Sequence, residues 1–147
     1  MEKITLFRGE HRFLSNFHQT PVCYEGLTYP NAEAAFQAQK CTCREDKVKY
    51  TLIKNPVRAK QMGRKETLSA NWNELAPGIM LGVVRAKFAV PEMAQLLLST
   101  GDAELVEGNT HHDNRWGDCT CPRCADKPGE NRLGKILMQV RADLRQD

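Results

Sequence analysis

Hydrophobic positions change period early in this chain. Lys3 to Arg8 alternates loosely and predicts a short N-terminal strand. His11-Arg12-Phe13-Leu14-Ser15-Asn16-Phe17 breaks any period, which predicts a loop pinned to the core by Phe13 and Phe17. Pro21–Tyr24 and Leu27–Tyr29, separated by Glu25-Gly26, carry the pattern of a small hairpin. The helical period then begins. Pro30 and Asn31 are punctuation, and Asn31 is a natural N-cap for the stretch Ala32-Glu33-Ala34-Ala35-Phe36-Gln37-Ala38-Gln39-Lys40. Alanine loses no side-chain entropy in a helix, so the local preference is clear, and most of this helix's circumference is suited to lie against other protein.

Helical spacing continues to the C-terminus. Glu45 to Lys54 is expected to turn Val48, Leu52 and Ile53 inward. Pro56 suits the first turn of a short helix ending near Gly63. Asn71-Trp72 leads into a longer helix expected from Pro77 to Val90, and Pro91 starts another that Gly101 closes. Glu104 to Glu107 is too short to classify. The last helix runs from about Asn131 to Arg145, with Leu133, Ile136, Leu137, Val140 and Leu144 at core spacing. Gly134 near its start costs helix stability, so it points to close approach by backbone or ligand. The fold class expected is mainly α with a little β: one compact domain over residues 1–147, with a short N-terminal strand and a hairpin.

Three places disturb this pattern with polar groups. Glu33, Gln37 and Lys40 stand at i, i+4 and i+7 on the apolar alanine helix, so they share one face. A polar stripe facing water is the plain explanation, and a polar cleft is the alternative. Lys87 falls in the middle of the apolar arc formed by Met80, Val83 and Val84 at about 100° per residue. It must snorkel, pair with a carboxylate or face a cavity. The loop His111-His112-Asp113-Asn114-Arg115-Trp116-Gly117-Asp118 concentrates charge around one tryptophan. Trp116 suits stacking on a flat ring, while Asp113 and Asp118 suit proton transfer or ribose hydroxyls. Ser15 and Asn16 are short hydrogen-bonding groups on an anchored loop, as ligand sites require.

Composition narrows the class. The 147 residues carry 21 basic and 18 acidic side chains, a net charge of +3 that tolerates an anionic ligand without arguing for nucleic acid. No apolar run approaches the roughly 20 residues that span a bilayer, and Met1-Glu2-Lys3-Ile4 lacks a signal-peptide apolar region. A cytoplasmic protein without membrane or obligate protein partners is expected. Its six cysteines then point to metal or free thiols before disulfides. Cys119-Thr120-Cys121-Pro122-Arg123-Cys124 supplies three thiolates at knuckle spacing, and zinc usually takes four ligands. Cys41, Cys43, His111 and His112 are candidates for the fourth. The C-x-C pair Cys41 and Cys43 is favoured, because it would tie the alanine helix to the knuckle. A structural zinc ion is expected, with no organic cofactor.

The ordered series Phe13-Leu14-Ser15-Asn16-Phe17, Glu33 with Phe36-Gln37-Ala38-Gln39-Lys40, Met62-Gly63-Arg64, Trp72, Met80, Ala86-Lys87-Phe88 and Leu105-Val106-Glu107 resembles the NADAR superfamily of YbiA-like N-glycosidases. Asp113, Trp116-Gly117-Asp118, Gly129, Asn131, Leu133-Gly134, Leu137-Met138 and Arg141 complete the match. The resemblance implies a mostly helical fold and hydrolysis of an N-glycosidic bond. Family substrates include phosphorylated ribosylamino-pyrimidines of riboflavin synthesis and ADP-ribose attached to guanine, so the expected partner is a ribosylated small molecule or ADP-ribosylated nucleic acid. Three departures stand out. Ala34 stands where the family often has His, His112 where Asn often precedes the Asp, and the cysteine knuckle is an insertion.

Cleaving a ribosyl C–N bond builds positive charge on the sugar, which a carboxylate stabilises while activating water. Glu33 is expected in that role, with Asp113 as second carboxylate and Lys87 or Lys40 against phosphate or leaving group. A lysine attacking the open-chain aldehyde as a Schiff base is the other route. Trp116 would stack on the base; Asn16, Gln37 and Asn131 would position ribose and phosphate, with Ser15, Phe17, Lys40, Gly117, Asp118 and Gly134 completing the substrate set. A non-catalytic binder of ADP-ribose or NAD is the rival reading.

Overall fold

The computed structural model describes residues 2–146; Met1 and Asp147, at the ends of the expected domain, lie outside the described residues. Its contacts divide into two compact units, one formed by the described residues up to Ser15 and from Pro91 onward, the other by Asn16–Val90. Helices dominate both, joined by three two-stranded sheets among the described residues, as a mainly α chain with a little β requires.

The Asn16–Val90 unit begins with the expected hairpin. Strand β2 (Gln19–Tyr24) pairs antiparallel with β3 (Leu27–Asn31), Val22 opposite Tyr29. Glu25 and Gly26 both take left-handed φ, 48° and 84°, which gives the two-residue turn the twist its strands need. Asn31 then ends β3 and caps α1 (Ala32–Ala38), its Oδ1 accepting the Ala34 N–H at 2.8 Å. Its Nδ2 donates to the Lys54 carbonyl at 3.1 Å, so one side chain fixes the helix start and a neighbouring loop together.

Helix α1 is too short to persist alone in water, and every one of its residues is buried. Helices α2 (Arg44–Tyr50), α3 (Pro56–Arg64) and α4 (Trp72–Phe88) all pack on it. Ala32, Ala34, Ala35 and Ala38 join Val22, Tyr29, Tyr50, Ala59 and Val83 in one core, their small side chains letting the surrounding backbones close in. Two expectations are corrected in this unit. Val48 and Leu52 face outward, Leu52 at 78% exposure, because Tyr50 takes the inward position and donates its hydroxyl proton to Glu66 at 3.0 Å. Helix α4 starts at Trp72, ahead of Pro77. Proline removes one helical rung there, and the burial of Trp72 and Ala76 supports the turn that precedes it.

In the other unit, β1 (Lys3–Ile4) pairs parallel with β4 (Glu104–Leu105). The segment expected as a loop forms a 3₁₀ helix, Gly9–Leu14, anchored by buried Phe13 and Leu14 against α5 (Pro91–Leu98). Phe17, the other expected anchor, is only half-buried. Helix α6 (Arg132–Gln146) buries Leu133, Leu137 and Val140 and packs on α5 and β4. A Cβ on Gly134 would lie 2.0 Å from the Leu105 carbonyl oxygen, so backbone approach is what requires glycine there. The parallel pair β5 (Gly108–Asn109) and β6 (Asp118–Cys119) closes the polar loop.

Candidate active site

The face of α1 that carries Glu33 and Gln37 is not solvated. Glu33 is 8% exposed and Gln37 is buried beside it. One helical turn apart, they bond directly: Gln37 Nε2 donates to Glu33 Oε2 at 2.7 Å. Glu33 lies in the first turn of the helix, where the N-terminal dipole favours a carboxylate, and its N–H donates to the Asn16 carbonyl at 3.0 Å. Asn16 is itself buried, its Nδ2 pointing to the Met80 sulfur at 3.5 Å.

Gln37 depends on a neighbour that spacing alone does not single out. Its Oε1 is buried with no hydrogen-bond partner among the described residues. A Cβ built on Gly63 of α3 would fall 1.9 Å from that oxygen. Glycine at 63 is therefore the space in which the Gln37 amide lies, which gives the Met62-Gly63-Arg64 match a physical reason.

Lys40 follows α1 and turns back over aromatic rings. Its Nζ stands 5.9 Å from the Trp72 ring centroid, and Phe36 meets the same tryptophan at 5.6 Å with planes tilted by 54°. Such a cation over an indole face is an attractive arrangement. Burial lowers the Lys40 pKa; the nearby Glu33 carboxylate partly offsets this, and Arg64 adds to it. The sequence presents Trp72 as the lead-in to a helix and as part of the resemblance, and nothing in its spacing marks it as a partner for Lys40. Lys87 does not snorkel: it is 1% exposed within α4, its Nζ 5.1 Å from the Phe88 ring centroid. An ammonium taken out of water is costly unless its surroundings compensate, so this is a built environment. Glu33, Gln37, Asn16, Lys40 and Lys87 thus all belong to the Asn16–Val90 unit. Two concavities of that unit, of about 140 Å³ and 490 Å³, are lined by other residues, chiefly around Tyr24 and Arg44 and around Arg58 and Gln61.

Phe17, Cys41 and Cys43 lie in the same Asn16–Val90 unit, and the remaining site candidates fall in the other. Asp113 Oδ1 accepts the N–H groups of Arg115 at 3.2 Å and Trp116 at 2.9 Å, so that oxygen builds its own loop. Asp118 Oδ1 accepts the Gly129 N–H at 3.0 Å. Gly117 lies so close to the Glu107 carbonyl that a Cβ would meet it at 2.2 Å. Asn131 is committed on both sides: Oδ1 accepts the Glu107 N–H and Nδ2 donates to the Leu105 carbonyl, each at 2.9 Å. Asn131 and Gly134 therefore each have a packing reason of their own. Ser15 ends the 3₁₀ segment, its N–H donating to the Arg12 carbonyl at 2.9 Å, while Trp116 is half-buried.

The metal-competent cluster differs from the one expected. His112, Cys119, Cys121 and Cys124 bring their ligand atoms within 4.8 Å of one another. Cys41 and Cys43 are not part of it. Cys41 is buried, and its thiol is pushed up to about 11, first by burial and then by the charge and hydrogen bonding of Glu66. Cys43 is exposed and donates to Asp46 Oδ2 at 3.1 Å. His112 was one of the open alternatives; its left-handed backbone, φ 68°, is the feature that spacing could not reveal.

The model of the NADAR domain matches residues 6–145. The chain belongs to the NADAR family. Among NADAR relatives, N-glycosidase YbiA of Escherichia coli (strain K12) is 37% identical over 133 residues, covering 88% of this chain and 79% of that protein. N-glycosidase Npun_R5314 of Nostoc punctiforme is 35% identical, over 89% of this chain and 84% of that one. A riboflavin biosynthesis protein of Vibrio vulnificus, VVA0006, is 33% identical over 92% of this chain but only 36% of its own length. The NMR structure of the Escherichia coli YbiA protein superimposes with a TM-score of 0.80 at 33% identity, over 99% of this chain and 88% of that one.

Proposed function

We propose that this NADAR chain is an N-glycosidase that hydrolyses the bond between a ribose carbon and the nitrogen of a base or amino-pyrimidine, with Glu33 as its catalytic carboxylate. The observation that carries this reading is the buried Glu33–Gln37 pair, bonded at 2.7 Å on the central helix of its unit. A carboxylate oriented by an amide and removed from bulk water is what general-base catalysis at a sugar requires.

In the reaction a water oxygen bonds to the anomeric carbon while the C–N bond breaks. Glu33 takes the water's proton, and its negative charge stabilises the positive charge growing on the ring. The bonding electron pair leaves with the nitrogen, which gains a proton as it departs. Gln37 fixes the rotamer of Glu33. Lys40, held over Trp72, offers a cation for a substrate phosphate, and Asn16 binds the loop to the same helix end. Hydrolysis is assigned to the carboxylate and not to a metal at the cysteine knuckle, because four protein donors close a tetrahedral shell to water and substrate.

Two substrate classes share this bond: phosphorylated ribosylamino-pyrimidines and ADP-ribosyl guanine. Relatives named for riboflavin biosynthesis support the first. In this reading the enzyme acts on small ribosylated molecules in the cytoplasm; no helix among the described residues is long and apolar enough to cross a membrane. Purified protein incubated with a panel of N-ribosides, followed by mass spectrometry of products, tests the assignment. Release of free base and ribose phosphate, or of guanine base and ADP-ribose, is expected. Tight binding of ADP-ribose by calorimetry with no turnover of any member would replace the enzyme by a binding module.

A further inference from the structure

The cluster at the cysteine knuckle has no part in the proposed turnover, yet its geometry is specific. His112 Nδ1 lies 3.3 Å from Cys121 Sγ, 3.4 Å from Cys124 Sγ and 3.9 Å from Cys119 Sγ. A tetrahedral zinc ion with Zn–S near 2.3 Å and Zn–N near 2.0 Å puts the S···N edge at about 3.5 Å. One nitrogen near that distance from three sulfurs is the apex of such a tetrahedron, with the sulfurs as its base. From this we infer that His112 Nδ1 and the thiolates of Cys119, Cys121 and Cys124 form a closed structural zinc site.

The surroundings support thiolate ligands. The His112 N–H donates to Cys119 Sγ at 3.3 Å, a contact that disperses negative charge on sulfur. The Cys124 N–H donates to the Cys121 carbonyl at 3.0 Å, closing the turn that aims both sulfurs the same way. Three soft sulfurs and an imidazole select zinc over magnesium or calcium, which take oxygen ligands. His112 holds a left-handed φ of 68°, a conformation that is unfavourable for an L-residue and needs something to hold it.

What zinc would hold is the stretch between its ligands. Asp113, Asn114, Arg115, Trp116, Gly117 and Asp118 all lie between His112 and Cys119 in sequence. Side chains organise that stretch: Asn109 Oδ1 accepts the N–H groups of His111 and Asp113, and Asn114 Oδ1 accepts the Cys119 N–H. The sheet beneath it has only two residues per strand, far below the length that is stable alone. Joining His112 to the knuckle staples both ends of the loop. The insertion therefore supplies by coordination the order that a longer sheet would otherwise give.

Metal analysis of the full chain, purified and reconstituted with zinc under reducing conditions, tests this without reference to turnover. One zinc per chain is expected in the wild type and in a Cys41→Ser/Cys43→Ser double variant. Cys121→Ser and His112→Ala should lose most of it to a chelator that leaves the wild type loaded, while His112→Cys should keep it. Cobalt substitution should give intense tetrahedral absorption that shifts in His112→Cys, as nitrogen is exchanged for sulfur, with circular dichroism confirming that the variant is folded. Absence of bound metal with all cysteines alkylatable would overturn the site, as would iron in place of zinc. Retention of metal and an unchanged cobalt spectrum in His112→Ala, or loss of metal from the Cys41/Cys43 variant, would overturn the ligand assignment.

Discussion

Glu33 and Cys41 sit a few residues apart on the same short segment, and burial acts on each through a different chemistry. For Glu33, removal from water together with the Gln37 amide fixes the carboxylate that the proposed mechanism uses as its base. For Cys41, burial and the Glu66 carboxylate keep the thiol protonated, raising it from 9.0 to about 11. Between those two values the unfolded chain has lost the thiol proton and the folded chain keeps it. Stability from this group is present in full below about pH 9 and falls as pH rises toward 11. Urea unfolding at several alkaline pH values should therefore show a steeper loss for the wild type than for Cys41→Ala. Iodoacetamide at pH 8.5 should modify exposed Cys23 and Cys43 well before Cys41. The burial of Glu33 and Lys87 was half legible in the sequence, because a charged residue centred on an apolar arc has few places to go. The approach of His112 to the three cysteines was not legible, since its position depends on a left-handed backbone that spacing does not encode.

At the scale of elements, α1 is a helix whose stability is borrowed. Its cap, its alanines and its proline-led entry were plain in the sequence, and the structure starts it at Ala32 behind the Asn31 cap but ends it at Ala38, before Lys40. Asn31→Ala removes the bond to the Ala34 N–H and should cost about 0.5–2 kcal/mol, read as a lower thermal midpoint. The partner helices were harder to read. The start of α4 was masked by Pro77, which marks helix starts more often than interiors. The inward face of α2 was misjudged because a tyrosine with a carboxylate partner outcompeted two aliphatic side chains. Gly63 joins α3 to α1 through the space it leaves for Gln37. Gly63→Ala should displace that amide, destabilise the fold by about 1–3 kcal/mol and lower the turnover number by releasing Glu33. Comparing kcat with the unfolding free energy separates the two effects: a folded variant with intact kcat would show that Gln37 does not orient the carboxylate.

Over the whole molecule, similarity to the YbiA structure extends along nearly the full chain, while the contacts divide into two units. The family was legible because its matches occur in order from Phe13 to Arg141, a signal that no single motif supplies. What the order of residues could not supply was the use of each match. Asn131 and Gly134 are required by the backbone of β4, whereas Glu33 and Gln37 bond to each other on a buried helix face. That contrast is why the proposed chemistry is assigned to α1, and one measurement tests the assignment directly. Wild-type and Glu33→Gln enzyme are incubated with the N-riboside that the product panel identifies, in water enriched in ¹⁸O, and the sugar product is analysed by mass spectrometry. The wild type should place the label on the anomeric oxygen and release the free base. The folded Glu33→Gln variant should be slower by about 10²–10⁴-fold, the usual contribution of a positioned acid or base. Labelled sugar formed by that variant at the wild-type rate would contradict the assignment of Glu33.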